Sequence, residues 1–246
     1  MKMERPPTQR DLRLSQQELW RTAYHLSDSP FLWSEPPIPF IDDVLSHLRN
    51  HHAARVLDAG CGDGRNTHRI ITDGFSVTGV DYSPAALELC HRRLDLAGSH
   101  NYVLVRSDLS SLPFPPAFFD AIVCIEVLGH LTNLRKVLSE FHRILRPGGV
   151  FIGSFFSHDD STKGFFMRPL TSSSFLYERY GRSVYYRYFD LPEVEKELST
   201  AQLTTVASSK VSWHDPAHEG FRGEPHDHTS WIAIATNSSD AQPSTA

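Results

Sequence analysis

What this chain has little of narrows its class first. Its 246 residues include only three cysteines, Cys61, Cys90 and Cys124. An odd number without paired ligand spacing predicts neither a disulfide framework nor a cysteine metal site, and fits a reducing compartment. No apolar run reaches ~18 residues, so no membrane-spanning helix is expected. The opening MKMERPPTQRDLRL is polar and does not read as a signal peptide. Basic charge is also scarce: 24 Lys+Arg against 29 Asp+Glu give a net charge of −5, and the basic residues are scattered. A phosphate-neutralising face is therefore not evident, and nucleic acid is not an expected partner. The expectation is a cytoplasmic protein, monomer or homodimer.

The richest stretch is VLDAGCGDGRNT, residues 56–67. An apolar strand ending at Asp58 runs into a glycine-rich turn and then a helix. Gly60, Gly62 and Gly64 let the backbone turn sharply and approach a ligand closely, while the helix start presents free N–H groups. The spacing is GxGxG, whereas the dinucleotide fingerprint is GxGxxG, which disfavours a nicotinamide dehydrogenase. A carboxylate before the turn suits a cationic ligand better than a phosphate.

Three further segments follow in order. FSVTGVDYSP (75–84) is a strand ending in Asp81, with Ser83-Pro84 opening a helix. YVLVRSDLSSLPF (102–114) carries Asp108, and FDAIVCIEVLGHL (119–131) precedes LRPGGVFIGSF (145–155). With these four motifs, residues 53–156 resemble the class I S-adenosylmethionine-dependent methyltransferases. The resemblance implies that Asp81 holds ribose hydroxyls, Tyr82 packs on the adenine and Asp108 lies near the adenine amino group. The cofactor contacts it implies are Asp58, Gly60, Cys61, Gly62, Gly64 and Asn66 in the first motif, Asp81 and Tyr82 in the second, Ser107, Asp108 and Leu109 in the third, and Ile125 and Glu126 in the fourth. Plain capping or turn roles for Asp58, Asp81 and Asp108 are the competing readings.

The alternation of helix and strand predicts an α/β fold of parallel βαβ units, with ligands beyond the strand C-termini. The resemblance makes this a doubly wound, Rossmann-like sheet of seven strands, the last antiparallel, with helices on both faces. Strands are expected near 75–81, 101–107, 119–125, 148–156, 203–213 and 228–237. Helices are expected near 14–26, 40–50, 64–74, 84–97, 131–145 and 191–201. One domain is expected over 12–237, with loose ends at 1–11 and 238–246. It divides into N-terminal helices at 12–52, where Trp20, Tyr24 and Trp33 form either a lid or ordinary core, a cofactor core at 53–156, an insert at 157–190 and C-terminal strands at 191–237.

The insert is dense in aromatics (Phe165, Phe166, Phe175, Tyr177, Tyr180, Tyr185, Tyr186, Tyr188). It reads as a substrate pocket wall, with Arg168, Arg179, Arg182 or Arg187 available for an anionic group, or as a packed cap or dimer contact. Catalytic candidates are His130, just past the fourth strand, and His226 and His228 in WHDPAHEGFRGEPHDHTSW (213–231). That segment also holds His214, His218, Asp215, Glu219 and Asp227. It could bind a divalent metal, bind or deprotonate the acceptor, or simply be solvated. Its spacing matches no metal motif, and no metal ligands are assigned. Cys124 lies inside an apolar strand and reads as core rather than nucleophile.

The fourth strand ends in Cys124-Ile125-Glu126-Val127 rather than the Asn/Asp-Pro-Pro-aromatic motif of enzymes that methylate nucleobase amines. The expectation is therefore transfer of a methyl group from S-adenosyl-L-methionine to an oxygen, nitrogen or sulfur of a small molecule. The rivals are a tRNA methyltransferase of the wobble-uridine type and a non-catalytic protein that binds the same cofactor.

Overall fold

The computed structural model describes residues 36–164, 167–179, 182–216 and 224–238, together with 8, 11, 12, 14, 16, 18–20 and 24; at 178, 179, 182 and 183 only the backbone is described. The expected loose ends, the loop around Trp33, and Phe165, Phe166, Tyr180, His218 and Glu219 lie outside these residues, apart from positions 8, 11 and 238.

The central sheet is built from β1 (Arg55–Ala59), β2 (Ser76–Asp81), β3 (Tyr102–Arg106), β4 (Phe119–Cys124), β5 (Leu145–Phe156), β9 (Leu203–Asp215) and β10 (His226–Asn237). Their order across the sheet is β3-β2-β1-β4-β5-β10-β9. The pairs among β1 to β5 are parallel, whereas β10 runs antiparallel to both β5 and β9. This is the seven-stranded Rossmann-like sheet expected. Every residue of β4 is buried, because helices cover both faces of a parallel strand and a continuous apolar run is what both faces demand.

One face is covered by α1 (Ile41–Asn50), which buries Ile41, Val44, Leu45 and Leu48 against Val56, Ile152 and Ile234. The other face packs against α4 (Leu134–Ile144) and α5 (Leu191–Thr200), through Leu138, Phe141 and Leu198 onto Leu57, Ile122 and Phe151. Helices α2 (Arg65–Thr72) and α3 (Pro84–Leu96) follow β1 and β2. Ser83 caps α3 by accepting from Ala86 N–H, with Pro84 in its first turn. Asp190 and Glu193 form a reciprocal capping box on α5.

The structure differs from the sequence expectation in three places. The helix expected from 131 starts at Leu134, after a 3₁₀ turn at Leu128–His130. The insert, for which no elements were expected, forms an antiparallel sheet of β6 (Met167–Pro169), β7 (Ser174–Arg179) and β8 (Arg182–Arg187). Finally, β9 and β10 run further than expected, with Asp215 paired opposite His226. Cross-strand pairing extends the ladder into a segment whose composition alone reads as a loop.

Candidate active site

The loops beyond the C-terminal ends of β1 to β4 enclose one cavity of about 260 Å³, which the ends of β5, β9 and β10 and the insert complete. Gly60 and Gly62 line it at φ +81° and +57°, the left-handed region. A Cβ on Gly60 would lie 2.4 Å from Val127 Cγ2, so this turn needs glycine twice over. Asp81 closes β2, and its carboxylate accepts Gly62 N–H at 3.0 Å and Ser83 N–H at 2.8 Å. Burial pushes its pKa up, and those backbone N–H groups pull it back. Cys61, Asn66, Tyr82, Ser107, Asp108, Leu109, Ile125 and Glu126 also line the cavity.

Two predicted cofactor residues stand behind the wall. Asp58 is buried and accepts from Thr67 Oγ1 at 2.5 Å, so it braces β1 against α2. Gly64 is the left-handed N-cap of α2, where a Cβ would meet Cys90 Sγ at 2.6 Å. Conversely, Asp63 was not anticipated. It lines the cavity and pairs with Arg93 at 3.1 Å, yet its buried Oδ1 has no hydrogen-bond partner among the described residues. An unmet buried acceptor is costly, so the site fits a cationic donor there.

Past β4 the cavity turns aromatic. Trp20, Tyr24, Phe156, Tyr177, Tyr186 and Trp213 contribute to its wall, with Met167 beside them. His130 sits among them, edge-on to Trp20 (5.3 Å), Phe156 (5.0 Å) and Tyr186 (4.6 Å) between ring centroids. A carbonyl has no proton to give, so His130 Nδ1–H donates to Tyr185 O at 3.0 Å, leaving Nε2 as the acceptor. Burial lowers the pKa of His130 to about 4, and the ring is neutral at physiological pH. Glu126, held at φ +59°, accepts Ser154 Oγ at 3.0 Å and Ser230 Oγ at 3.2 Å. Burial pushes its pKa up too.

The third wall comes from β9 and β10. Side chains alternate along a strand, so His226 and His228 share a face and, with Asp215, line the cavity. Asp227 and His214 fall on the opposite face and pair with each other at 2.8 Å, both exposed. His214 is therefore not near the chemistry. His226 Nε2 lies 3.0 Å from His228 Nε2, and His228 Nδ1 lies 3.1 Å from Asp160 Oδ2.

Of the expected arginines, neither Arg168 nor Arg187 lines the cavity. Arg168 is exposed, and Arg187 is engaged by Glu197 at 2.9 Å and stacked over Phe189 at 4.4 Å. The side chains of Arg179 and Arg182 are outside the description. Cys124 is fully buried with its thiol pKa pushed up by burial, as a core residue should be. Among the described residues no helix is long and apolar enough to cross a membrane.

A family model described as a methyltransferase domain matches residues 57–153. A demethylmenaquinone methyltransferase of Tropheryma whipplei (strain Twist) is 30% identical over 209 residues, covering 78% of this chain and 80% of its own. A malonyl-[acyl-carrier protein] O-methyltransferase of Salmonella typhimurium is 35% identical over 109 residues, 44% of this chain and 41% of its own. Among solved structures, the Burkholderia thailandensis 1,6-didemethyltoxoflavin-N1-methyltransferase, with bound 1,6-didemethyltoxoflavin and S-adenosylhomocysteine, has a TM-score of 0.68 at 24% identity, covering 96% of this chain and 93% of that one. Aligned over most of its length with a curated relative and built on the sheet its motifs imply, the chain belongs to the class I S-adenosylmethionine-dependent methyltransferases.

Proposed function

We propose that this enzyme methylates an oxygen, nitrogen or sulfur nucleophile on a small, flat, ring-bearing molecule, acting in the cytoplasm. The observation that carries the reading is the single cavity in which the glycine-loop carboxylates adjoin an aromatic chamber centred on His130. S-adenosylmethionine supplies an activated methyl on a sulfonium, so the protein's task is alignment and exclusion of water.

Asp81 has lone pairs left on both oxygens for the ribose hydroxyls, after one backbone N–H on each. Tyr82 and Asp108 line the cavity and suit the adenine ring and its amino group, and Asp63 Oδ1 suits the ammonium of the methionine part. Trp20, Phe156 and Tyr186 offer faces and edges for a planar acceptor. His130 Nε2 accepts a hydrogen bond from the acceptor's nucleophile, and the neutral ring does so without adding charge. The menaquinone name of one relative supports a small acceptor over tRNA, as does the acidic net charge.

The test is calorimetric binding of S-adenosylmethionine and S-adenosylhomocysteine, followed by a screen of aromatic acceptors with methyl-labelled cofactor and mass detection. Micromolar binding with a labelled product supports the proposal. Binding with no turnover on any acceptor favours the non-catalytic alternative, and a salt-sensitive tRNA product favours the other.

A further inference from the structure

We propose that Asp215, His226 and His228 form a mononuclear divalent-metal site on the acceptor side of the cavity, with a coordination position open to an oxygen of the methyl acceptor. The proposal rests on reading this cavity as the methyl-acceptor site, and adds an ion that the motifs do not imply.

The three ligand atoms lie within 4.8 Å of one another. His226 Nε2 and His228 Nε2 are 3.0 Å apart, and Asp215 Oδ2 is 3.7 Å from His228 Nε2. The outer nitrogens fix the tautomers. His226 Nδ1 is 3.1 Å from the carbonyl of Glu224, which only accepts, so that nitrogen carries the proton. His228 Nδ1 is 3.1 Å from Asp160 Oδ2, and Asp160 is a buried carboxylate that also takes the N–H groups of Thr162 and Thr229. Each ring therefore commits its Nδ1 proton outward and turns its Nε2 toward the other ring.

Two Nε2 atoms at that distance hold either a shared proton or a metal ion between them, and the carboxylate of Asp215 beside them completes a set of ligands for the ion. Imidazole nitrogens bound at ~2.0–2.1 Å to one ion stand ~2.9 Å apart at a right angle and ~3.3 Å apart at the tetrahedral angle, and the observed separation falls between these. The backing is also that of ligating histidines, whose second nitrogen donates to a carboxylate or a backbone carbonyl. Sequence register explains how the set assembles: His226 and His228 alternate on one face of β10, and Asp215 is the cross-strand partner of His226. Two imidazoles and one carboxylate suit Zn²⁺, Fe²⁺ or Co²⁺ better than Mg²⁺. Three protein ligands leave room for an exogenous oxygen, and all three line the cavity that holds His130 and Glu126.

The experiment is titration of the chelator-treated full-length protein with Co²⁺, followed by visible absorption, and with Zn²⁺ by calorimetry. S-adenosylhomocysteine binding is measured on every sample as the check on folding. A single ion per chain is expected, with its binding lost in His226→Ala and His228→Ala. Asp215→Asn and Asp160→Asn should weaken it about 10–100-fold, with S-adenosylhomocysteine affinity held within about twofold. Native protein that binds S-adenosylhomocysteine but neither ion overturns the site, leaving a proton shared between the imidazoles. Undiminished Co²⁺ binding in both alanine variants overturns it as well. Absence of S-adenosylhomocysteine binding would strike the methyltransferase reading instead, and the Co²⁺ titration would still decide the metal.

Discussion

Gly62 N–H donates to Asp81 Oδ2 at 3.0 Å, so the carboxylate placed for the ribose also ties the glycine loop of β1 to the end of β2. Asp81→Ala removes both functions and should weaken S-adenosylhomocysteine binding by about 10–100-fold, some 1.4–2.7 kcal/mol. Asp81→Asn should recover little. Its amide has one acceptor oxygen where two N–H donors, Gly62 and Ser83, now converge on the carboxylate. Calorimetry on the two variants checks this, and full recovery in the asparagine variant would contradict the tie.

Asp58 should leave its mark on stability rather than on contact with the cofactor. Burial raises its pKa to about 6, the Thr67 hydroxyl opposes that, and the charge of Asp81 adds to it. Between its unfolded value of 3.8 and about 6, the native state holds a proton that the unfolded chain has released. Stability from this group is therefore fully present below the lower value and is lost as pH rises through the upper one. The loss is on the order of 3 kcal/mol. Asp58→Asn keeps an acceptor for Thr67 but not the titration. Urea unfolding from pH 4 to 7 should show the native protein losing stability relative to the variant across that window and running parallel above it.

The four motif strands were legible because each encodes its own end: an apolar run, then an acid or glycine, all within a dozen residues. The same locality explains why Asp81, Tyr82, Asp108 and Glu126 reach the cavity as expected. What depended on pairing register was not legible. Asp215 enters the site only because β9 runs on to pair with His226, and His214 leaves it because alternation turns it outward. Trp213 and Phe156 reach the cavity from strand ends whose apolar character reads as core. The insert's aromatics were visible, but nothing in their spacing fixed which of them, Tyr177 and Tyr186, line the cavity.

His130 offers a sharp kinetic test. Its pKa of about 4 means it stays neutral above about pH 5, so the rate should show no inflection near 6.5 from this residue. His130→Ala should lower methyl transfer to the acceptor at least ~100-fold, while S-adenosylhomocysteine affinity stays within about twofold. Measured with labelled cofactor, a variant with native turnover would remove His130 from the chemistry and leave it a packing residue.

Glu197 on α5 holds the insert to the sheet. Its buried carboxylate accepts Arg187 Nη2, at the end of β8, at 2.9 Å and Arg135 Nε, on α4, at 3.0 Å. Burial pushes the Glu197 pKa up, but the guanidinium groups of Arg187 and Arg135 outweigh it and hold the carboxyl below its ordinary value. The stabilisation is thus present above the unfolded pKa and is lost as pH falls through the folded one. Glu197→Gln keeps the volume and removes the charge, leaving the less exposed Arg187 with a weaker partner. The expected cost is about 1–3 kcal/mol, since Arg135 is largely exposed and screened. That corresponds to a fall in Tm of roughly 2–12 °C for a chain of this size. Because β8 also carries Tyr186 on the cavity wall and the Tyr185 carbonyl that orients His130, loosening it should raise the acceptor's KM several-fold and leave cofactor affinity unchanged. Thermal melts with steady-state kinetics on both substrates separate this from global damage. A fall in cofactor affinity equal to that for the acceptor would show that the pair supports the whole domain and not the insert in particular.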